Sequence, residues 1–163
     1  MPADRRTLLA AVLLLPLLGA PAALAQSDDE RDYLVDLREV NVLVEDLPAE
    51  IEAAGLTRDR LETAVEERLR ERRVPIGRSR LAGDLYVRIG THRGSTGLYA
   101  YFARVSLQQL VTIEGNRQRA FVDTWDLESL GMVGEGNLPQ VQQVVLQIVD
   151  VFIEDYFAVN DPW

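Results

Sequence analysis

The sequence predicts an α+β fold in two layers, a four-stranded mixed sheet with two helices on one face, in the order β-α-β-β-β-α. Three observations carry this. Apolar residues alternate with period two in four separate segments. Only two segments, 57–72 and 137–158, carry apolar residues at helical spacing. A long crossover separates the first two strand segments, which makes them parallel, whereas tight turns separate the others, which makes those antiparallel.

The elements follow in order. Val40, Val42 and Val44 alternate with Asn41, Leu43 and Glu45, which places the first strand within 37–47. Pro48 to Gly55 is a connector with room for one helical turn. Thr57 stands where its hydroxyl caps the free amides of a helix, and Leu56 and Leu61 are spaced as a hydrophobic staple. Leu61, Ala64, Val65 and Leu69 then recur at helical spacing, and Glu66 precedes Arg70 by one turn. Arg68, Arg70, Arg72 and Arg73 crowd the end where the helix dipole favours cations. Pro75 stops the helix, so it spans 57–72.

Leu85, Val87 and Ile89 mark one face of the second strand. Thr91 to Gly97 is a Gly/Ser-rich turn leading into a long strand, Leu98 to Ile113, on which Tyr99, Tyr101, Ala103, Val105 and Leu107 share a face. A bulge is expected near Gln108 and Gln109. Glu114 to Gln118 is a second turn, and a fourth strand runs from Arg119 to Leu127. Glu128 to Gly136 holds three glycines and reads as a loop. Asn137 is the expected cap of the last helix, with Gln140 in the reciprocal position. Val141, Val144, Val145, Ile148, Phe152 and Tyr156 give that helix one apolar stripe ending near Ala158.

Ahead of this domain stands an export pattern. Met1 to Arg6 is a short basic end, Leu8 to Leu18 is apolar, and Ala23-Leu24-Ala25 is a small-x-small cleavage site. The apolar run falls well short of the ~20 residues that span a bilayer, so no transmembrane anchor is expected. Cleavage is expected between Ala25 and Gln26, giving a periplasmic or secreted chain. Arg5-Arg6-Thr7-Leu8-Leu9 resembles a twin-arginine signal, while the Leu-rich run suits general secretion, so both routes stay open. The organisation read from the sequence is a signal at 1–25, an acidic linker at 26–36, one domain at 37–159 and a tail at 160–163.

Composition narrows the function. The chain carries 17 basic and 26 acidic residues, a net charge of −9, and no cysteine. Every basic residue but His92 is arginine. Strong acidity argues against nucleic acid and anionic membranes as partners. Without cysteine there is no thiol nucleophile, no thiolate metal site and no lipid-anchoring cysteine. No cofactor motif is present.

Chemistry has few footholds. His92 is the single histidine. With Ser95 it could form a nucleophile and base, but the G-x-S-x-G elbow is missing and an exposed hairpin tip holds such geometry poorly. Asp123-Thr124-Trp125-Asp126-Leu127-Glu128 is the densest mix of acid and aromatic. Paired carboxylates there could hydrolyse a glycoside or hold Ca²⁺, although the spacing of a dedicated calcium loop is absent. On a regular strand Asp123 and Asp126 point to opposite faces. The charged face of helix 57–72, and Asp150, Glu154 and Asp155 on the last helix, read as solvated, salt-bridged surface.

The most informative feature is the face of the sheet turned away from the helices. With the valines of the first strand, Leu85, Val87, Ile89, Val105 and Leu107 facing the helices, the reverse face shows Tyr86, Arg88, Phe102 and Arg104. Continued alternation adds Phe121, Asp123 and Trp125. Aromatic side chains beside Arg make the composition of binding hot spots, and they also make ordinary cross-strand pairs. These seven residues are the candidate binding face, for an envelope protein or a second copy of the chain.

The stretch Leu61 to Ile76, followed by Ala82-Gly83-Asp84-Leu85-Tyr86-Val87-Arg88-Ile89, resembles a pattern in small periplasmic domains such as the amino-terminal domain of TolB and several outer-membrane accessory lipoproteins. A helix ends in a Leu-rich turn, a short apolar link follows, and a small-Asp-apolar start opens the next strand. The resemblance covers about 30 residues and departs from the lipoproteins in lacking their anchoring cysteine. It implies a non-enzymatic, partner-binding role in an envelope and assigns no functional residue. The expectation is a periplasmic interaction module. A small-ligand or Ca²⁺ carrier and a hydrolase using acids near Asp123 are the alternatives.

Overall fold

The computed structural model of the chain describes residues 28–79 and 82–160. The export signal, its cleavage site and residues 161–163 of the tail lie outside the described residues. A short helix, α1 (Asp28–Asp32), is followed by β1 (Val40–Val44), α2 (Ala49–Ala53), α3 (Arg58–Glu71), β2 (Gly83–Arg93), β3 (Leu98–Thr112) and β4 (Arg119–Gly134). A 3-10 turn over Glu135–Gln140 then leads into α4 (Val141–Val159). The sheet order is β1-β2-β3-β4, with β1 parallel to β2 and the other pairs antiparallel. This is the α+β fold with a mixed sheet that the alternation and the turns predict.

The inner layer forms where period two meets period 3.6. Val40, Val42, Val44, Leu85, Val87, Ile89, Ala103, Val105 and Leu107 are buried on one side of the sheet. Leu61, Val65 and Leu69 of α3, and Val145, Ile148, Val149, Phe152 and Tyr156 of α4, close over them. Each fully buried aliphatic side chain contributes about 1.5–3 kcal/mol, so this layer dominates the stability of the domain. Thr57 caps α3 as its position suggests, its Oγ1 accepting from Arg60 N at 3.3 Å. The helix ends in a Schellman turn, with Val74 N donating to Leu69 O at 2.9 Å and Arg73 N to Arg70 O at 3.0 Å. Arg73 holds the left-handed position (φ 64°) in which glycine is usual.

Several elements differ from the sequence reading. The expected acidic linker docks onto the core. Leu34 is fully buried, and Arg31 Nε reaches Asp155 Oδ1 at 2.8 Å. Asp155 is therefore not solvated surface, since only 4% of it is exposed and its second oxygen accepts from Trp125 Nε1 at 2.9 Å. Asp150 bridges the two long helices through Arg68 Nη1 at 2.8 Å. Asn160, placed in the tail, is buried and donates to Leu34 O at 2.8 Å. α4 starts at Val141 rather than at an Asn137 cap. The residues before it wind as a 3-10 turn with Pro139 inside, and Gln140 Nε2 meets Asn137 Oδ1 at 3.3 Å.

The largest difference is the length of β4. The glycine-rich stretch expected as a loop continues the strand to Gly134. Gly131 pairs with Tyr101, whose ring lies over it. A Cβ at Gly131 would sit 2.5 Å from the Tyr101 hydroxyl. Gly90 accommodates Phe102 in the same way, at 2.1 Å from Cε1. In both places glycine marks a strand site covered by a neighbour's ring, not a break.

Candidate functional site

The register of β3 and β4 decides which side chains share the outer face. Leu107 pairs with Trp125, but Gln108 pairs with Asp123, so Thr124 is an extra residue in β4. Its hydroxyl holds the bulge in place, donating to Gln109 Oε1 at 2.7 Å and lying 3.3 Å from Leu107 O. The expected irregularity is therefore real, but the inserted residue belongs to β4 rather than to the Gln108–Gln109 side. An extra residue shifts the alternation by one and reverses the facing of everything beyond it.

Two corrections follow. Trp125 does not lie on the outer face. It is 1% exposed, sits edge-on to Phe152 with ring centroids 5.1 Å apart, and bonds Asp155. Asp123 and Asp126 do not point to opposite sides. Both reach Arg104 on the outer face, Nη2 to Asp123 Oδ2 and Nε to Asp126 Oδ2, each at 3.1 Å. The two carboxylates share one guanidinium rather than facing each other across a substrate cleft.

The other expected residues are on the outer face. Tyr86 and Phe102 are half-buried there. Arg88 lies 5.7 Å above the Phe102 ring, with its Nε 2.9 Å from Glu45 Oε2. Phe121 is 67% exposed beside Leu110. Beyond the bulge the face continues through Asp126, Glu128, Leu130 and Met132, paired with Ser106, Arg104, Phe102 and Ala100. Leu130 and Met132 are 75% and 68% exposed. Sequence reasoning missed both because it ended the strand at Leu127. The signal available was the i, i+2 spacing of Leu130 and Met132 in phase with Asp126 and Glu128.

The face thus has an apolar end at Leu110 and Phe121, a charged band around Arg104, and a second apolar end at Phe102, Leu130 and Met132. A shallow hollow of about 280 Å³ lies at this second end, between Gly90, His92, Ala100, Phe102 and Leu130. His92 is an exposed strand residue opposite Ala100 rather than part of the turn, because β2 runs on to Arg93. Ser95 stays in the exposed turn. On the opposite face of the same strand, the Thr91 hydroxyl donates to Glu50 Oε1 and holds that carboxyl below its ordinary value, helped by a backbone hydrogen bond. Among the described residues, no group of three or more His, Asp or Glu side chains stands together to hold a metal ion, and no helix is long and apolar enough to cross a membrane.

No protein-family model matches the chain, and no curated protein matches it. Among solved structures, the chain is similar to a minor lipoprotein from Acinetobacter baumannii, a crystal structure at 2.35 Å. The identity is 16% and the TM-score 0.33, over 76% of this chain and 93% of that one. A likeness at that score carries no inference about this chain.

Proposed function

We propose that the chain is exported and acts in the cell envelope as a non-catalytic interaction module, engaging a protein through the uncovered face of its sheet. The observation that carries this reading is the exposure of Phe121, Leu130 and Met132, at 67%, 75% and 68%, on that one face. Large apolar side chains exposed on a rigid surface, here in two patches on either side of the charged band around Arg104, mark association sites. The basic end, apolar run and small-x-small site at 1–25 support export. The absence of cysteine means that attachment to an envelope would come through the partner rather than through a lipidated thiol.

Site-specific photo-crosslinking in the source cells tests the reading. A photoreactive residue at Phe121, Leu130 or Met132 is expected to trap a discrete adduct. The same residue at Glu67 or Gln147, exposed on the helical side, is expected to trap none. Equal labelling from both sides, or none from the sheet face, rules the reading out.

A further inference from the structure

The α1 region is fastened to the far end of the chain. Arg31 Nε meets Asp155 Oδ1 of α4 at 2.8 Å, and Leu34 O accepts from Asn160 Nδ2 at 2.8 Å. These partners lie 124 and 126 residues away in sequence. Leu34 itself is fully buried. One tight turn returns the chain from this strap towards β1. In it Leu37 N donates to Leu34 O at 3.1 Å, and Asp36 holds a left-handed φ of 62°. Aspartate visits that region when its short carboxylate can hydrogen-bond locally. Asp36 lacks that help, since among the described residues its side chain makes no hydrogen bond and no ion pair. The strap is thus firmly held at its anchors and strained at its hinge.

We propose that residues 28–35 are an exchangeable strap, which at high concentration leaves its own domain and docks in the same place on a second copy of the chain. The docking place defines its occupant. It offers a nearly enclosed carboxylate, Asp155, whose other oxygen is taken by Trp125 Nε1, and a buried site for an apolar side chain. A second copy presents Arg31 and Leu34 at the spacing that fills both. The exchanged strap therefore keeps every contact of the resident one, including the charge complement to Asp155. What changes is the hinge. When the chain crosses to a second copy, the turn from Leu34 to Leu37 opens and Asp36 relaxes to an ordinary extended φ. Short hinges under strain favour such exchange, and reciprocal exchange closes into a two-fold dimer. The uncovered sheet face takes no part, so the inference stands apart from the interaction-module reading.

Sedimentation of the purified protein tests the exchange, in about 0.5 M salt to screen the repulsion between two chains of net charge −9. Asp36→Pro fixes φ near about −65° and cannot form the left-handed turn, so its dimer should be on the order of tenfold tighter than the parent's. Asp36→Gly takes the left-handed φ without strain, so its dimer should be on the order of tenfold weaker. Arg31→Glu sets a carboxylate against Asp155, and adding it to Asp36→Pro should return that protein to monomer. Leu130→Glu, on the sheet face, should leave the dimer intact. Circular dichroism checks the fold of each variant. A monomeric Asp36→Pro protein, a dimer indifferent to Arg31→Glu, or one that Leu130→Glu dissociates overturns the proposal. Should Arg31→Glu disturb the fold, the hinge variants still decide, because equal or reversed affinities of Asp36→Pro and Asp36→Gly overturn it as well. Photo-crosslinks from Phe121, Leu130 and Met132 report on the sheet face alone, so either reading can fail without the other.

Discussion

Trp125 and Asp126 are neighbours in the chain and lie on opposite faces of one strand, and they show how differently the two faces are built. On the inner face Asp155, nearly enclosed, binds the Trp125 indole with one oxygen and Arg31 with the other, joining β4, α4 and the α1 region. On the outer face Asp126 and Asp123 share Arg104, with side chains still 30–38% exposed. The chemistry is the same in kind, a carboxylate with an arginine, but the surroundings differ. Where water is excluded, an unpaired donor cannot be rescued, so the inner cluster fastens the fold. Where water competes, the outer cluster gives little stability.

That comparison can be broken by measurement. Trp125→Ala removes the largest fully buried side chain among the described residues and should cost about 3–5 kcal/mol in urea denaturation. A cost below about 1 kcal/mol would mean that the two faces do not differ as described. Asp155→Ala should cost about 2 kcal/mol, because the buried indole N–H loses its acceptor. Part of the Arg31 contribution is recovered by solvent, as that side chain is 35% exposed. Arg104→Ala should change stability by less than about 1 kcal/mol, and the change should shrink in high salt. A loss matching that of Asp155→Ala would show that the outer cluster also holds the fold.

The smallest effect is a pH dependence away from both clusters. Thr91 holds the Glu50 carboxyl below its ordinary value of 4.5. A depressed carboxyl contributes stability above its unfolded pKa and loses it as pH falls through the folded one. Thr91→Val should therefore be less stable than the parent near neutrality, with the gap closing on acidification below about pH 4.5. Thermal melts of the two proteins at pH 7 and pH 3 measure it, and a gap that widens in acid contradicts the assignment.

Much of the scaffold was legible in the chain. The valines of β1, the Leu85-Val87-Ile89 face and the Thr57 cap follow from local periodicity and local hydrogen bonding. The outer face was legible only up to the bulge. Tyr86, Arg88, Phe102 and Arg104 lie before any break in phase, and Phe121 and Asp123 share their face because Gln108 pairs with Asp123. Trp125 failed because one inserted residue, Thr124, inverts the alternation, and nothing in the spacing of Asp123-Thr124-Trp125-Asp126 announces it. Leu130 and Met132 failed because Gly131 and Gly134 read as a loop until Tyr101 is seen lying over Gly131.

By itself the sequence determined the α+β class, the mixed sheet and the inner core, because period two and period 3.6 are local consequences of backbone geometry and apolar burial. Only the tertiary structure decided which acids stand together and which aromatic is hidden. Those outcomes depend on pairing across strands, where a single bulge in β4 outweighs the pattern of the strand that contains it.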